Sequence, residues 1–94
     1  MKLIWSPDAV HDLQRLKEFI QPFNESAAKR AVNRIRQMAA ALASEPELGR
    51  ILEDVSNMRE MVAHFGGGAY VLRYRIYSDV IVIARIWHSR EQRH

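Results

Sequence analysis

Tyr70-Val71-Leu72-Arg73-Tyr74-Arg75-Ile76-Tyr77, then Ser78-Asp79, then Val80-Ile81-Val82-Ile83-Ala84-Arg85-Ile86-Trp87-His88 is the stretch that decides the fold. Two runs rich in β-branched and aromatic residues flank a two-residue break, which reads as a β-hairpin. A two-residue loop sets Tyr77 opposite Val80, Ile76 opposite Ile81 and Tyr74 opposite Ile83. That register gives one face Tyr70, Leu72, Tyr74, Ile76, Ile81, Ile83, Arg85 and Trp87. The other face receives Val71, Arg73, Arg75, Tyr77, Val80, Val82, Ala84, Ile86 and His88. The first set is the better core. The second mixes arginines with apolar residues, so it is apolar enough to bind a partner and charged enough to stay soluble alone.

Upstream of the hairpin, Met58-Arg59-Glu60-Met61-Val62-Ala63-His64 reads as another strand, followed by the flexible loop Gly66-Gly67-Gly68. That loop lacks the Lys-Ser/Thr of a phosphate-binding loop. Strands are therefore expected at about 58–64, 69–77 and 80–88. At the N-terminus, Lys2–Trp5 is a short strand candidate. Ser6 can cap a helix, Pro7 suits its first position and Asp8 favours its positive end. Val10, Leu13, Leu16 and Ile20 form an apolar stripe at helical spacing, with His11, Asp12, Arg15 and Glu18 facing elsewhere. Pro22 ends this helix, and Asn24 caps a second one running to about Ala43. Its apolar face is Ala28, Ala31, Ile35, Met38, Ala39 and Leu42. Its polar face of Lys29, Arg30, Asn33, Arg34, Arg36 and Gln37 reads as a solvated surface or as a phosphate contact. The short connection requires an antiparallel helical hairpin. Ser44-Glu45-Pro46 stops the second helix, and residues 45–57 form an irregular connection. The expected fold is α+β: an N-terminal strand, an antiparallel helical hairpin, then a three-stranded antiparallel run, with the helices packed on one sheet face. It is expected as a single domain over residues 1–94.

Composition narrows the function. A hydrophobic fraction of 48% and a charged fraction of 27% suit one modest globular core. The absence of cysteine excludes disulfides and thiolate metal sites. His11, His64, His88 and His94 follow no metal-ligand spacing, so neither metal nor cofactor is expected. The N-terminus has no apolar signal region, and no apolar run approaches the roughly 18 residues of a membrane span. A cytoplasmic protein without membrane contact is expected. The net charge of +3 is unevenly placed. Residues 1–58 hold eight Lys/Arg and eight Asp/Glu, whereas residues 59–94 hold six Arg and three acids. The C-terminal part therefore suits an acidic protein segment or a phosphate backbone.

The order of elements resembles the RelE/ParE superfamily of bacterial toxins. Trp5-Ser6-Pro7-x-Ala9 with Asp12-Leu13 resembles the family's opening, and Ser44-Glu45-Pro46 its stop after the second helix. Met58-Arg59-Glu60-x-Val62 is similar to its second strand. Tyr70-Val71-Leu72-Arg73-Tyr74-Arg75 and Ile86-Trp87-His88-Ser89-Arg90-Glu91-Gln92 resemble its later strand and closing segment. The resemblance covers nearly the whole chain. It implies one of two activities: a ParE-like poison of DNA gyrase, which is not an enzyme, or a RelE-like endoribonuclease acting on ribosome-bound mRNA. Either would be neutralised by a small acidic antitoxin encoded beside it, ParD-like in the first case.

RNA cleavage needs a proton acceptor, a proton donor and cations around the phosphate. The family's third-strand arginine falls at Val71 here, its loop lysines are missing, and the tail lacks tyrosine. The poison reading is therefore preferred, with no catalytic residue. His88 and Arg90 are the catalytic candidates of the nuclease alternative. For target binding the candidates are Arg59, His88, Arg90 and Arg93; for antitoxin binding they are Arg73, Arg75, Val82 and Ile86. Several have plainer readings. Arg59 suits an edge ion pair with Glu60 or Glu53, His88 a strand-end hydrogen bond, and Trp5 and Trp87 packing.

Overall fold

The computed structural model describes residues 1–54, 57–65 and 68–91. Gly66 and Gly67 of the glycine loop lie outside these residues, as does the target-binding candidate Arg93. The architecture is α+β: β1 (Lys2–Trp5), α1 (Pro7–Ile20), α2 (Glu25–Ser44), β2 (Arg50–Ile51), β3 (Met58–Phe65), β4 (Gly68–Tyr77) and β5 (Val80–His88). The five strands form one sheet in the order β1-β5-β4-β3-β2. β1 runs parallel to β5, and the remaining pairs are antiparallel. Both helices pack on one face, and the other face is uncovered. The two-residue β2, paired with Arg59 and Glu60, lies within the connection expected to be irregular. No described helix is long and apolar enough to cross a membrane.

Local signals in the sequence account for the helices. Ser6 accepts the Ala9 amide at 3.0 Å, and Asn24 accepts the Ala27 amide at 2.9 Å, so each helix starts at its capping residue. All six apolar positions expected on α2 are buried: Ala28, Ala31, Ile35, Met38, Ala39 and Leu42. In α1 two expectations are corrected. Val10 is 51% exposed, whereas Asp12 is only 2% exposed. Ala9 takes the buried place above Leu16, because α1 lies along β5 with its Ala9–Asp12–Leu16 side inward.

The β4–β5 hairpin keeps the expected register from Tyr77↔Val80 to Tyr74↔Ile83. A bulge then intervenes between Arg73 and Tyr74, and Arg73 pairs with Arg85. The extra residue reverses the alternation of β5. Ile86 is consequently a core residue at 0% exposure, not an open-face one. Arg85 and Trp87 change sides in the opposite sense and join Arg73 on the open face, while His88 turns to the helix side opposite Tyr70.

The cause lies at the outer edge of β5. β1 covers this edge only from Val80 to Ile83. Beyond Trp5 the chain turns into α1, which supplies hydrogen-bonding groups in place of a strand. The Ser6 amide donates to Ile83 O at 2.9 Å, and the Ser6 hydroxyl donates to Ala84 O at 3.0 Å. Asp12 Oδ2 accepts the Ile86 amide at 2.8 Å, and Arg15 Nη2 donates to Ile86 O at 3.3 Å. Buried backbone groups need such partners, so the polar residues of α1 are drawn inward at this place.

Candidate functional site

Two surfaces near the strands carry the candidate residues. The first is the open sheet face, with Arg50 from β2, Glu60 from β3, Arg73 and Arg75 from β4, and Val82, Arg85 and Trp87 from β5. Glu60, 7% exposed, sits at its centre. Arg50 Nη2 donates to its Oε1 at 3.1 Å, and Arg73 donates to its Oε2 through both Nε at 2.9 Å and Nη2. The Arg73 guanidinium also lies 5.1 Å from the centroid of the Trp87 ring. Arg73 is thereby fixed between a carboxylate and an aromatic face. Arg75 stays near the surface and meets the exposed Tyr77 by a 3.3 Å hydrogen bond and a ring contact. Arg50, Arg73 and Arg75 against Glu60, with Arg85 held by Asp12, give this face a basic character, with Val82 and the half-exposed Ile4 and Val62 as apolar ground.

The second surface is a groove of about 610 Å³ between α1 and the end of β5, lined by Leu16, Phe19, Ile20, Tyr70, His88 and Arg90 among others. Phe19 is 74% exposed and Phe23 stands beside it, with ring centroids 6.5 Å apart. His88 packs edge-on against Tyr70 at 5.3 Å. Its Nδ1 accepts the Arg90 amide at 3.1 Å, and a Cβ at Gly68 would collide with Cε1 and Nε2. One ring nitrogen is thus hydrogen-bonded to backbone and the other lies against the start of β4. Burial raises the Tyr70 phenol above its usual value, and the Glu91 charge adds to the effect.

A charged cluster joins the groove to the sheet. Asp12 accepts from Arg85 Nε at 2.8 Å and Arg85 Nη2 at 3.0 Å, and also from Arg15 Nη1. Burial would raise its carboxyl, but the hydrogen bonds from Arg85, the Ile86 amide and Arg15 outweigh burial and hold it below the usual value. Arg15 reaches onward to both oxygens of Glu91, at 3.1 and 3.2 Å, and Glu91 accepts the His88 amide at 2.7 Å. Ser89 is also tied in, its amide donating to Ala69 O at 2.8 Å and its hydroxyl accepting the Ala69 amide at 3.1 Å. The turn after β5 is therefore stitched to β4 and α1.

The candidates divide accordingly. His88 and Arg90 lie together in the groove. Arg73, Arg75 and Val82 share the open face, and Ile86 is removed from it by the bulge. Arg59 belongs to neither: its Nη1 donates to Gly49 O at 2.9 Å and Glu47 O at 3.4 Å, so it clasps the loop before β2 instead of pairing with Glu60 or Glu53. Tyr74 does likewise, accepting the Gly49 amide at 2.9 Å and donating to Pro46 O at 2.6 Å. The Glu60–Arg50–Arg73 group and the Asp12 cluster escaped sequence reasoning; the alternation of β3 against β4 was the available signal for the first. Among the described residues, no three His, Asp or Glu side chains converge to hold a metal ion.

Comparison with known proteins gives this geometry its context. The family model described as the ParE toxin of type II toxin-antitoxin system, parDE, matches residues 3–93. Toxin RelE3 of Caulobacter vibrioides is 45% identical over 87 residues, covering 93% of this chain and 92% of that protein. Toxin RelE2 of the same organism is 32% identical over 88 residues, covering 94% of each. A solved chain from the chromosomal ParDE TA system of P. aeruginosa superposes with a TM-score of 0.75 at 24% identity, over 92% of each chain.

Proposed function

The chain belongs to the ParE toxin family of type II toxin–antitoxin systems, and from that premise we propose that it is a poison that binds and blocks DNA gyrase and turns over no substrate. The observation that carries this reading is the state of His88. A general base must have a nitrogen lone pair within reach of the proton it takes. Here Nδ1 accepts the Arg90 amide and the opposite ring edge lies on Gly68. The carboxylate at the centre of the open face is similarly occupied, with three guanidinium N–H groups on the two oxygens of Glu60.

In this reading the groove bounded by Phe19, His88 and Arg90 engages the target. Arg73, Arg75 and Val82 on the open face engage the antitoxin. Exposed aromatic and basic groups around an apolar groove are the usual makings of a protein-binding surface.

The names of the Caulobacter relatives favour a second reading, ribosome-dependent mRNA cleavage. His88→Gln separates the two. Glutamine keeps a neutral polar side chain in the groove but cannot act as a general acid–base. A poison stops replication with mRNA left intact, and the variant is weakened only as far as His88 contributes to target binding. A nuclease relying on His88 loses about 100-fold or more of its rate.

A further inference from the structure

Chain that leaves the last strand of a sheet is ordinarily loose unless something ties it down. The turn His88–Glu91 is tied down. Within it, the Glu91 amide donates to His88 O at 2.9 Å and the Arg90 amide to His88 Nδ1 at 3.1 Å. Two anchors lie outside it: Ser89 is bonded to Ala69 of β4, and Glu91 to Arg15 of α1. The Ser89 bonds extend the β4 ladder by one step and fix the chain that far. Past Ser89 the Glu91 carboxylate takes over. Its Oε1 accepts the His88 amide at 2.7 Å and Arg15 Nη2 at 3.2 Å, and its Oε2 accepts Arg15 Nε at 3.1 Å. Arg15 is held in turn by Asp12 and by Ile86 O. One guanidinium thus joins α1, β5 and the turn, which the point charge of a lysine cannot do.

We propose that Arg15 and Glu91 are positioning residues for target engagement: they hold the turn after β5 so that His88 and Arg90 stand at the groove beside Phe19. This role rests on the reading that the groove engages the target.

Exposure argues against a purely stabilising role. The Arg15 and Glu91 side chains are 44% and 32% exposed, and ion pairs open to water contribute little to stability. Asp12 keeps Arg85 and the Ile86 amide when Arg15 is altered, so the core loses little. The turn loses more. Without the Glu91 carboxylate, the His88 amide and the Arg15 guanidinium both lose an acceptor, and α1 no longer sets the path past Ser89. Target binding must then order the turn itself, at a cost in conformational entropy.

Growth arrest on induced expression, at matched protein levels, tests this whatever the target is. Glu91→Ala should raise the amount of protein needed about tenfold. Glu91→Gln should stay within about threefold of the natural chain, because Oε1 takes two of the three bonds and glutamine keeps it. Arg15→Lys keeps a charge beside Asp12 but lacks the fork, and should lose as much as Glu91→Ala. The double variant Arg15→Lys, Glu91→Ala should be no weaker than either single one, since both break the same latch. All of them should melt close to the natural chain. Undiminished toxicity of Glu91→Ala overturns the role. So does a Glu91→Gln variant as weak as Glu91→Ala, which would make the charge itself a target contact. Losses that multiply in the double variant overturn it too, as does a melting temperature that falls to near that of growth. Phe19→Ser tests the underlying reading separately. Full toxicity there counts against the groove as the target surface, whereas a weakened Phe19→Ser beside a fully toxic Glu91→Ala removes the latch alone.

Discussion

Asp12 accepts from four donors, and three of them join α1 to β5: two N–H groups of Arg85 and the Ile86 amide, with one N–H of Arg15 from α1 itself. Its partners on β5 lie 73 and 74 positions away in sequence. Helical spacing alone places Asp12 among solvent-facing residues, because nothing local marks where β1 stops covering β5. The capping roles of Ser6 and Asn24, by contrast, were legible, since their partners lie three residues on. Replacing Asp12 by Ala leaves the Ile86 amide without a partner and two arginines without their anion. The arginines are part-exposed and can be hydrated, so the expected cost is about 3 kcal/mol, at the lower end for a broken buried pair. The Asp12 carboxyl titrates lower in the folded chain than its ordinary value of 3.8. Its contribution to stability is therefore full above about that pH and is lost as pH falls through the lowered value. Denaturant titrations from pH 7 down to pH 2 should show this acid-side loss in the natural chain and a shallower one in Asp12→Ala. Equal slopes would remove Asp12 from the account of acid stability.

Along β5, the hairpin register was readable as far as Tyr74↔Ile83, because turn length and alternation set it. Beyond that point the bulge decides, and it depends on how α1 replaces β1 at the strand's edge. The faces of Arg85, Ile86, Trp87 and His88 therefore could not be read from alternation. Ile86 is buried and Val82 lies on the uncovered face. Ile86→Ala should cost about 2–5 kcal/mol. Val82→Ala in the isolated protein should cost less than about 1 kcal/mol, as a surface change does. Urea unfolding of the two variants checks this, and equal costs would mean that β5 keeps its alternation unbroken. The bulge also changes the composition of the open face, which gains Trp87 and Arg85 in place of Ile86 and His88.

At the scale of the whole molecule, the helices leave one sheet face bare and the turn after β5 bound to α1. Arg75 is the clearest probe of the bare face, because Arg73 holds Glu60 and its reversal would disturb the sheet. Arg75→Glu should slow and weaken antitoxin binding, with the loss larger at 50 mM than at 500 mM salt. Unchanged affinity at low salt would count against this face as the antitoxin site. The turn also limits what truncation can show. Removal of residues 89–94 would take away Ser89 and Glu91, which bond Ala69, Arg15 and His88, so loss of toxicity in that variant would mix binding with stability. Truncation after Glu91 keeps those contacts. The most direct measurement of the central claim is DNA supercoiling by purified gyrase titrated with the purified protein. Supercoiling should fall as the protein approaches the gyrase concentration. Supercoiling that persists undiminished under a large excess of folded protein would contradict the account.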